Sequence, residues 1–238
     1  MLNPKEEAKF AELKDKCREL KVPAPPEIFI GLQVHDKNGV LVFDDKQRGH
    51  SWTRNFYNFL YLTATYSNGG GAYAAAGQGV KAMNGTVYTS FGRPYNGAYY
   101  GWAYGYGFYN NAGNAGSGIL VGTGDAAFAA ENYILAAIIA HGTGAGQFSY
   151  VAMSNSTVAY TAGTKTWKTT WSRVFNNNSG SSITVKEVGL ATNTEILGNA
   201  FVSGTLMERS VLDPTVAVAN GAQLTVTYEI SMDFSAID

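Results

Sequence analysis

Leu224, Val226, Tyr228, Ile230 and Met232 occupy every second position of one run, with Thr225, Thr227, Glu229 and Ser231 between them. Side chains two residues apart share one face of a strand, so this run offers one apolar face to a core and one polar face to water; a one-residue slip would invert it. The same period recurs in Trp167, Thr169, Trp171, Arg173 and Phe175, and in Phe148, Tyr150 and Ala152. Turn-forming clusters at 161–164, 176–182, Asp213-Pro214 and Asn220-Gly221 separate such runs. The expectation is a mainly β fold, an antiparallel β-sandwich or barrel, with its sandwich domain over residues 117–238. In a chain of 238 residues that is 45% apolar, such a domain has material for a core.

Upstream, Ile28, Ile30, Leu32 and Val34 alternate, Asn38-Gly39 offers a turn, and Val40 and Val42 begin a return strand. This predicts a hairpin. From Ser51 the period lengthens: Trp52, Phe56, Phe59, Leu60 and Thr63 fall at helical spacing, which predicts a short helix over 51–65 capped by Ser51. Its aromatic residues read as core, with Arg54, Asn55 and Asn58 on the surface. Hairpin and helix, residues 27–66, are read as part of the main β domain.

Residues 1–22 read as a docking helix. Between residues 5 and 21 lie 11 of the 35 charged side chains, and Phe10, Leu13, Cys17 and Leu20 form a stripe two heptads long. A lone helix of this size is marginal in water unless its stripe is covered, either by its own domain or by a neighbouring subunit. Pro23, Pro25 and Pro26 end it.

Between Ser67 and Gly124 lie 16 of the 28 glycines and 8 of the 15 tyrosines, but only two charged residues, Lys81 and Arg93. A permissive backbone bearing large amphipathic rings suits contact with a partner, and suits poorly the fixed placement of catalytic acids and bases. Residues 67–116 are therefore read as a contact region or insertion. Tyr95, Tyr99, Tyr100, Trp102, Tyr104, Tyr106 and Tyr109 are its partner-binding candidates, packed on a neighbouring subunit or presented to a host receptor or glycan.

A net charge of −1 gives no basic field for nucleic acid. The single cysteine excludes an internal disulfide and a multi-cysteine zinc site, and His35, His50 and His141 stand far apart, so no metal is expected. No apolar run reaches the roughly 20 residues that cross a bilayer, and the charged first twenty residues lack a signal core, so membrane insertion is not expected and synthesis in a cytoplasm is.

Gly122-Thr-Gly124-Asp-Ala-Ala127 fits a loose dinucleotide fingerprint, but no acid follows at 140–150 and the downstream pattern is antiparallel, so its glycines read as turn residues. Asp44, Asp45, His50 and Ser51 read as a surface loop rather than a nucleophile and base. Only Asp125, Glu131 and Glu187 are acidic between residues 46 and 190, which disfavours a glycosidase pair. The sequons at Asn84, Asn155 and Asn177 read as turns.

In the run 183–190, Ile183, Val185 and Glu187 share a parity while Val188 and Leu190 take the other. Either the strand bulges near Lys186 or Glu187 points inward. An inward glutamate requires a partner, and Arg209, among Leu206, Met207, Val211 and Leu212, is the candidate for a structural ion pair.

Val174-Phe-Asn-Asn-Asn-Ser-Gly-Ser-Ser-Ile-Thr-Val-Lys-Glu-Val-Gly-Leu190, Met207-Glu-Arg-Ser-Val-Leu-Asp-Pro214 and Gly221-Ala-Gln-Leu-Thr-Val-Thr-Tyr-Glu-Ile230 together resemble a module of virion structural proteins of tailed bacteriophages. Gly118-Ile-Leu-Val-Gly-Thr-Gly-Asp125 and His50-Ser-Trp-Thr-Arg-Asn-Phe-Tyr57 look like parts of the same family. The resemblance covers about residues 27–66 and 117–232, and such modules recur in capsid-associated, neck, tail and baseplate proteins. It implies a non-enzymatic structural role without a cofactor, in a virion, through contacts with other virion proteins or further copies of the chain. The Gly/Tyr tract departs from the shared pattern as an insertion, and a receptor- or glycan-binding module at a virion tip is the alternative reading.

Overall fold

The computed structural model describes residues 4–22, 24–49, 51–64, 72–73, 79–88, 90–91, 108–196 and 200–235. In chain order the elements are α1 (Pro4–Leu20), β1 (Glu27–His35), β2 (Leu41–Arg48), β3 (Ser51–Trp52), α2 (Arg54–Ala64), β4 (Ala72–Tyr73), β5 (Val80–Lys81), β6 (Val87–Tyr88) and β7 (Ser90–Phe91). They continue with β8 (Gly118–Gly122), β9 (Ser149–Tyr150), β10 (Thr157–Thr161), β11 (Thr166–Asn176), β12 (Ile183–Ile196), β13 (Ala200–Val218) and β14 (Gln223–Asp233).

Two open antiparallel sheets carry the core; neither closes into a barrel. The larger runs β10-β11-β14-β1-β2, with β9 added to β11, and the smaller runs β3-β13-β12-β8. The predicted hairpin is β1–β2, turned by Asp36, whose carboxylate accepts from the amides of Asn38 and Val40, with Gly39 at φ 79°. It belongs to the same sheet as the C-terminal strands, because β1 pairs with β14 along its whole length, from Glu27 opposite Ser231 to His35 opposite Gln223. Alternation sets the core as expected: Ile28, Ile30, Leu32 and Val34 from β1 and Leu224, Val226, Tyr228 and Ile230 from β14 are buried together.

Three local expectations are corrected. Asp213-Pro214 does not reverse the chain but lies inside β13, where the ladder to β12 skips from Val185–Val216 to Glu187–Val211. Proline supplies no ladder amide, and Gln47 of the facing sheet takes over locally, accepting from the Asp213 amide and donating to the Pro214 carbonyl. Ser51 does not cap α2: it lies in β3, and the helix begins at Arg54, whose amide donates to the Ala130 carbonyl. Asn55 is buried rather than surface-facing and Leu60 is exposed. The helix is turned this way because the Asn55 amide brackets Lys81 of β5, accepting from its N–H and donating to its C=O, and also donates to the Leu206 carbonyl.

Candidate functional site

Glu187 and Arg209 lie on neighbouring strands and meet in a buried ion pair, Arg209 Nε donating to Glu187 Oε2 over 2.7 Å. Both sequence alternatives at this point occur together: the β12 ladder shifts between Val185 and Glu187, and Glu187 is completely buried. Inward, however, means something different from the expected core. Val188, Leu190 and Glu208 point between the sheets, so Glu187 and Arg209 occupy the opposite face of the smaller sheet, beneath the segment 123–137.

That segment is held by the pair. Glu187 accepts from the amides of Gly124, Ala136 and Ala137 at 3.2, 3.0 and 2.7 Å, while Arg209 donates to the carbonyls of Ala126 and Ala127 and to Asn132 Oδ1. A charge with this many fixed dipoles is compensated without water. The glycines of 122–127, expected as turn residues, serve close approach: a Cβ at Gly122 or Gly124 would sit 2.5 or 2.6 Å from Glu187 Oε1. The other two acids of the 46–190 stretch are surface ion-pair partners, Asp125 of Lys186 and Glu131 of Arg54. Lys186 holds the Asp125 carboxyl below its ordinary range by hydrogen bonding and charge.

Arg173 is a second buried cation, and sequence reasoning assigned it no role. It is 1% exposed and donates to the carbonyls of Asn111, Asn114, Ser117, Ile119 and Val151, with its guanidinium 4.7 Å above the Tyr150 ring. Burial pushes it down to about 10. Its sequence signal was an arginine sharing the parity of Trp171 and Phe175. Through Arg173 and Asn110, whose amide donates to Asn114 and Ser117 carbonyls, the segment 108–119 is fastened to the sandwich. At the start of this segment Phe108 stands edge-on to Trp171, and Tyr109 is exposed. Tyr95, Tyr99, Tyr100, Trp102, Tyr104 and Tyr106 lie outside the described residues.

A third buried cluster joins the two sheets. Glu208 accepts from Ser210 Oγ at 2.5 Å and from the Tyr228 hydroxyl at 2.6 Å, and burial pushes its carboxyl up to about 7, against the pull of those two hydrogen bonds and of the Arg209 charge. All three residues are at most 2% exposed, so the cluster faces protein on every side.

The four residues of the N-terminal stripe separate. Cys17 is buried and Phe10 is half-buried, whereas Leu13 and Leu20 are exposed. Charge decides the docking: Arg48 of β2 donates to both oxygens of Glu7 at 2.8 Å and to Glu27 at 2.7 Å, stacks 4.0 Å over Phe10, and shares Glu27 with Lys14. The helix thus lies on its own β1–β2 hairpin.

Of the other sequence candidates, His50 lies outside the described residues, while Asp44 and Asp45 accept from glutamine side chains. Asn84 and Asn177 close turns through their side-chain oxygens, and Asn177 is completely buried. Among the described residues no group of three histidine, cysteine, aspartate or glutamate side chains is placed to hold a metal, and no helix is long and apolar enough to cross a membrane.

No known protein family, curated protein or solved structure matches this chain.

Proposed function

We propose that this chain is a non-enzymatic structural component of a tailed-phage virion, in the capsid decoration, neck or tail and baseplate, acting through contacts with copies of itself or other virion proteins. The observation that carries the reading is the use made of its buried ionisable groups. Glu187, Arg209 and Arg173 are partnered by one another and by the protein's own backbone and Asn132, and they fix the long segments 108–119 and 123–137 on the sandwich. Such groups stiffen a scaffold; a reacting group keeps a coordination or hydrogen-bonding position for its substrate.

Three of the five segments that resemble virion modules sit side by side, while residues 221–230 lie in β14 of the larger sheet. Residues 118–125, 174–190 and 207–214 contribute β8, β12 and β13, adjacent strands of the smaller sheet, and supply Gly122, Gly124, Glu187 and Arg209 to one clamp. This supports treating these three segments as one structural unit.

The experiment is electron microscopy of cells infected with phage in which this reading frame is interrupted. Incomplete or unstable particles are the expected result, and complete infectious particles would contradict the proposal. Alanine at Tyr99, Tyr100, Trp102 and Tyr104 separates the two kinds of contact: lost assembly indicates a neighbouring subunit, and normal particles with lost adsorption indicate a host receptor or glycan.

A further inference from the structure

Sheet edges present unpaired amides and carbonyls, and monomeric proteins blunt them with charge, shortness or cover. Among the described residues the edge strands of the two sheets other than β10 are blunted in this way, β9 being only two residues long. β2 carries Asp44, Asp45, Lys46 and Arg48; β3 has two residues; β8 is buried at all five positions and is bridged at Gly122 to Ile138. β10 is different. Among the described residues it pairs on one side only, with β11, and all five of its positions are exposed, including Val158 at 62% and Tyr160 at 59%. No aspartate, glutamate, lysine or arginine occurs from Asn132 to Thr164.

We propose that β10 is a self-pairing edge, joining β10 of a second copy of this chain antiparallel about a two-fold axis at Ala159. The sequence Thr157-Val-Ala-Tyr-Thr161 is nearly its own reverse, so this register sets threonine against threonine, Ala159 against Ala159, and Val158 against Tyr160 twice. Val158 and Tyr160 lie opposite Thr169 and Trp167 of β11, on the face that leads into the core. Pairing therefore continues the rows Trp167–Tyr160 and Thr169–Val158 across the axis and buries both exposed apolar side chains in cross-strand contacts. A head-to-tail joint of β10 to β2 is disfavoured: with every neighbour antiparallel, β10 and β2 run in the same direction, so that joint would be parallel and would set a neutral strand against a charged one.

The test uses the full chain. Sedimentation should give a species of twice 25.4 kDa that Ala159→Arg, which sets two like charges face to face at the axis, returns to monomer mass with its circular dichroism unchanged. Register is read by cross-linking in a Cys17→Ala background. Ala159→Cys should oxidise to a disulfide dimer, since directly opposed Cα atoms lie about 4.5–5.5 Å apart. Thr157→Cys should not, because its own copy would lie about 14 Å away along the strands. Monomer mass at all concentrations, or equal cross-linking of the two cysteine variants, overturns the proposal. Neither outcome bears on whether the chain belongs to a virion, which the infection experiment reads separately.

Discussion

Arg209 Nε lies 2.7 Å from Glu187 Oε2 with neither side chain more than 1% exposed, so a complete ion pair is sealed between a sheet and its covering segment. Removing one partner leaves the other charge buried. Arg209→Met should cost about 3–5 kcal/mol, whereas Arg209→Met combined with Glu187→Leu should cost clearly less than the sum of the single changes. Urea unfolding of the four proteins measures the coupling, and additive losses would show that the pair does not act as a unit.

Arg173 donates to five backbone carbonyls. Arg173→Lys cannot reproduce the planar fork and should destabilise by about 3 kcal/mol while exposing residues 108–119 to proteolysis. Limited digestion that leaves this segment as resistant as in the parent protein would refute the assignment.

Glu208 sets a pH dependence of unusual sign. Its carboxyl is pushed up to about 7 in the fold against an ordinary value of 4.5, so the folded state holds the proton more tightly than the unfolded chain. Stability from this group is full below about pH 4.5 and declines as pH rises to about 7, by about 3 kcal/mol at most. Glu208→Gln should flatten this slope in thermal melts taken between pH 5 and 8, and an unchanged slope would contradict the account.

Much of the sandwich was legible because alternation is a strong signal where one face is buried: β1, β11 and β14 follow their runs closely, and the mismatch of parities at Glu187 pointed to a buried charge. The covering segment 123–137 was not legible, since its residues show no period and owe their place to dipoles on Glu187 and Arg209. The rotation of α2 was missed for a related reason. Asn55 is polar and so reads as surface, yet it is buried by pairing with the Lys81 backbone. The N-terminal stripe misled in the same direction, because Arg48 holds α1 by charge and leaves Leu13 and Leu20 outside.

Arg48→Ala should therefore loosen α1 without unfolding the sheets. Arg48 links Glu7 of the helix to Glu27 of β1, and both pairs disappear with it. Hydrogen exchange should rise across residues 4–20 while β1 and β14 keep their protection. Protection of the helix equal to that of the parent protein would show that Cys17 and Phe10 suffice to hold it.

The proposed virion role is tested most directly by mass spectrometry of gradient-purified phage particles from cells that express this chain. The account predicts the chain as a stoichiometric particle protein that stays bound through washing in high salt. Particles that are infectious and lack it would contradict the account.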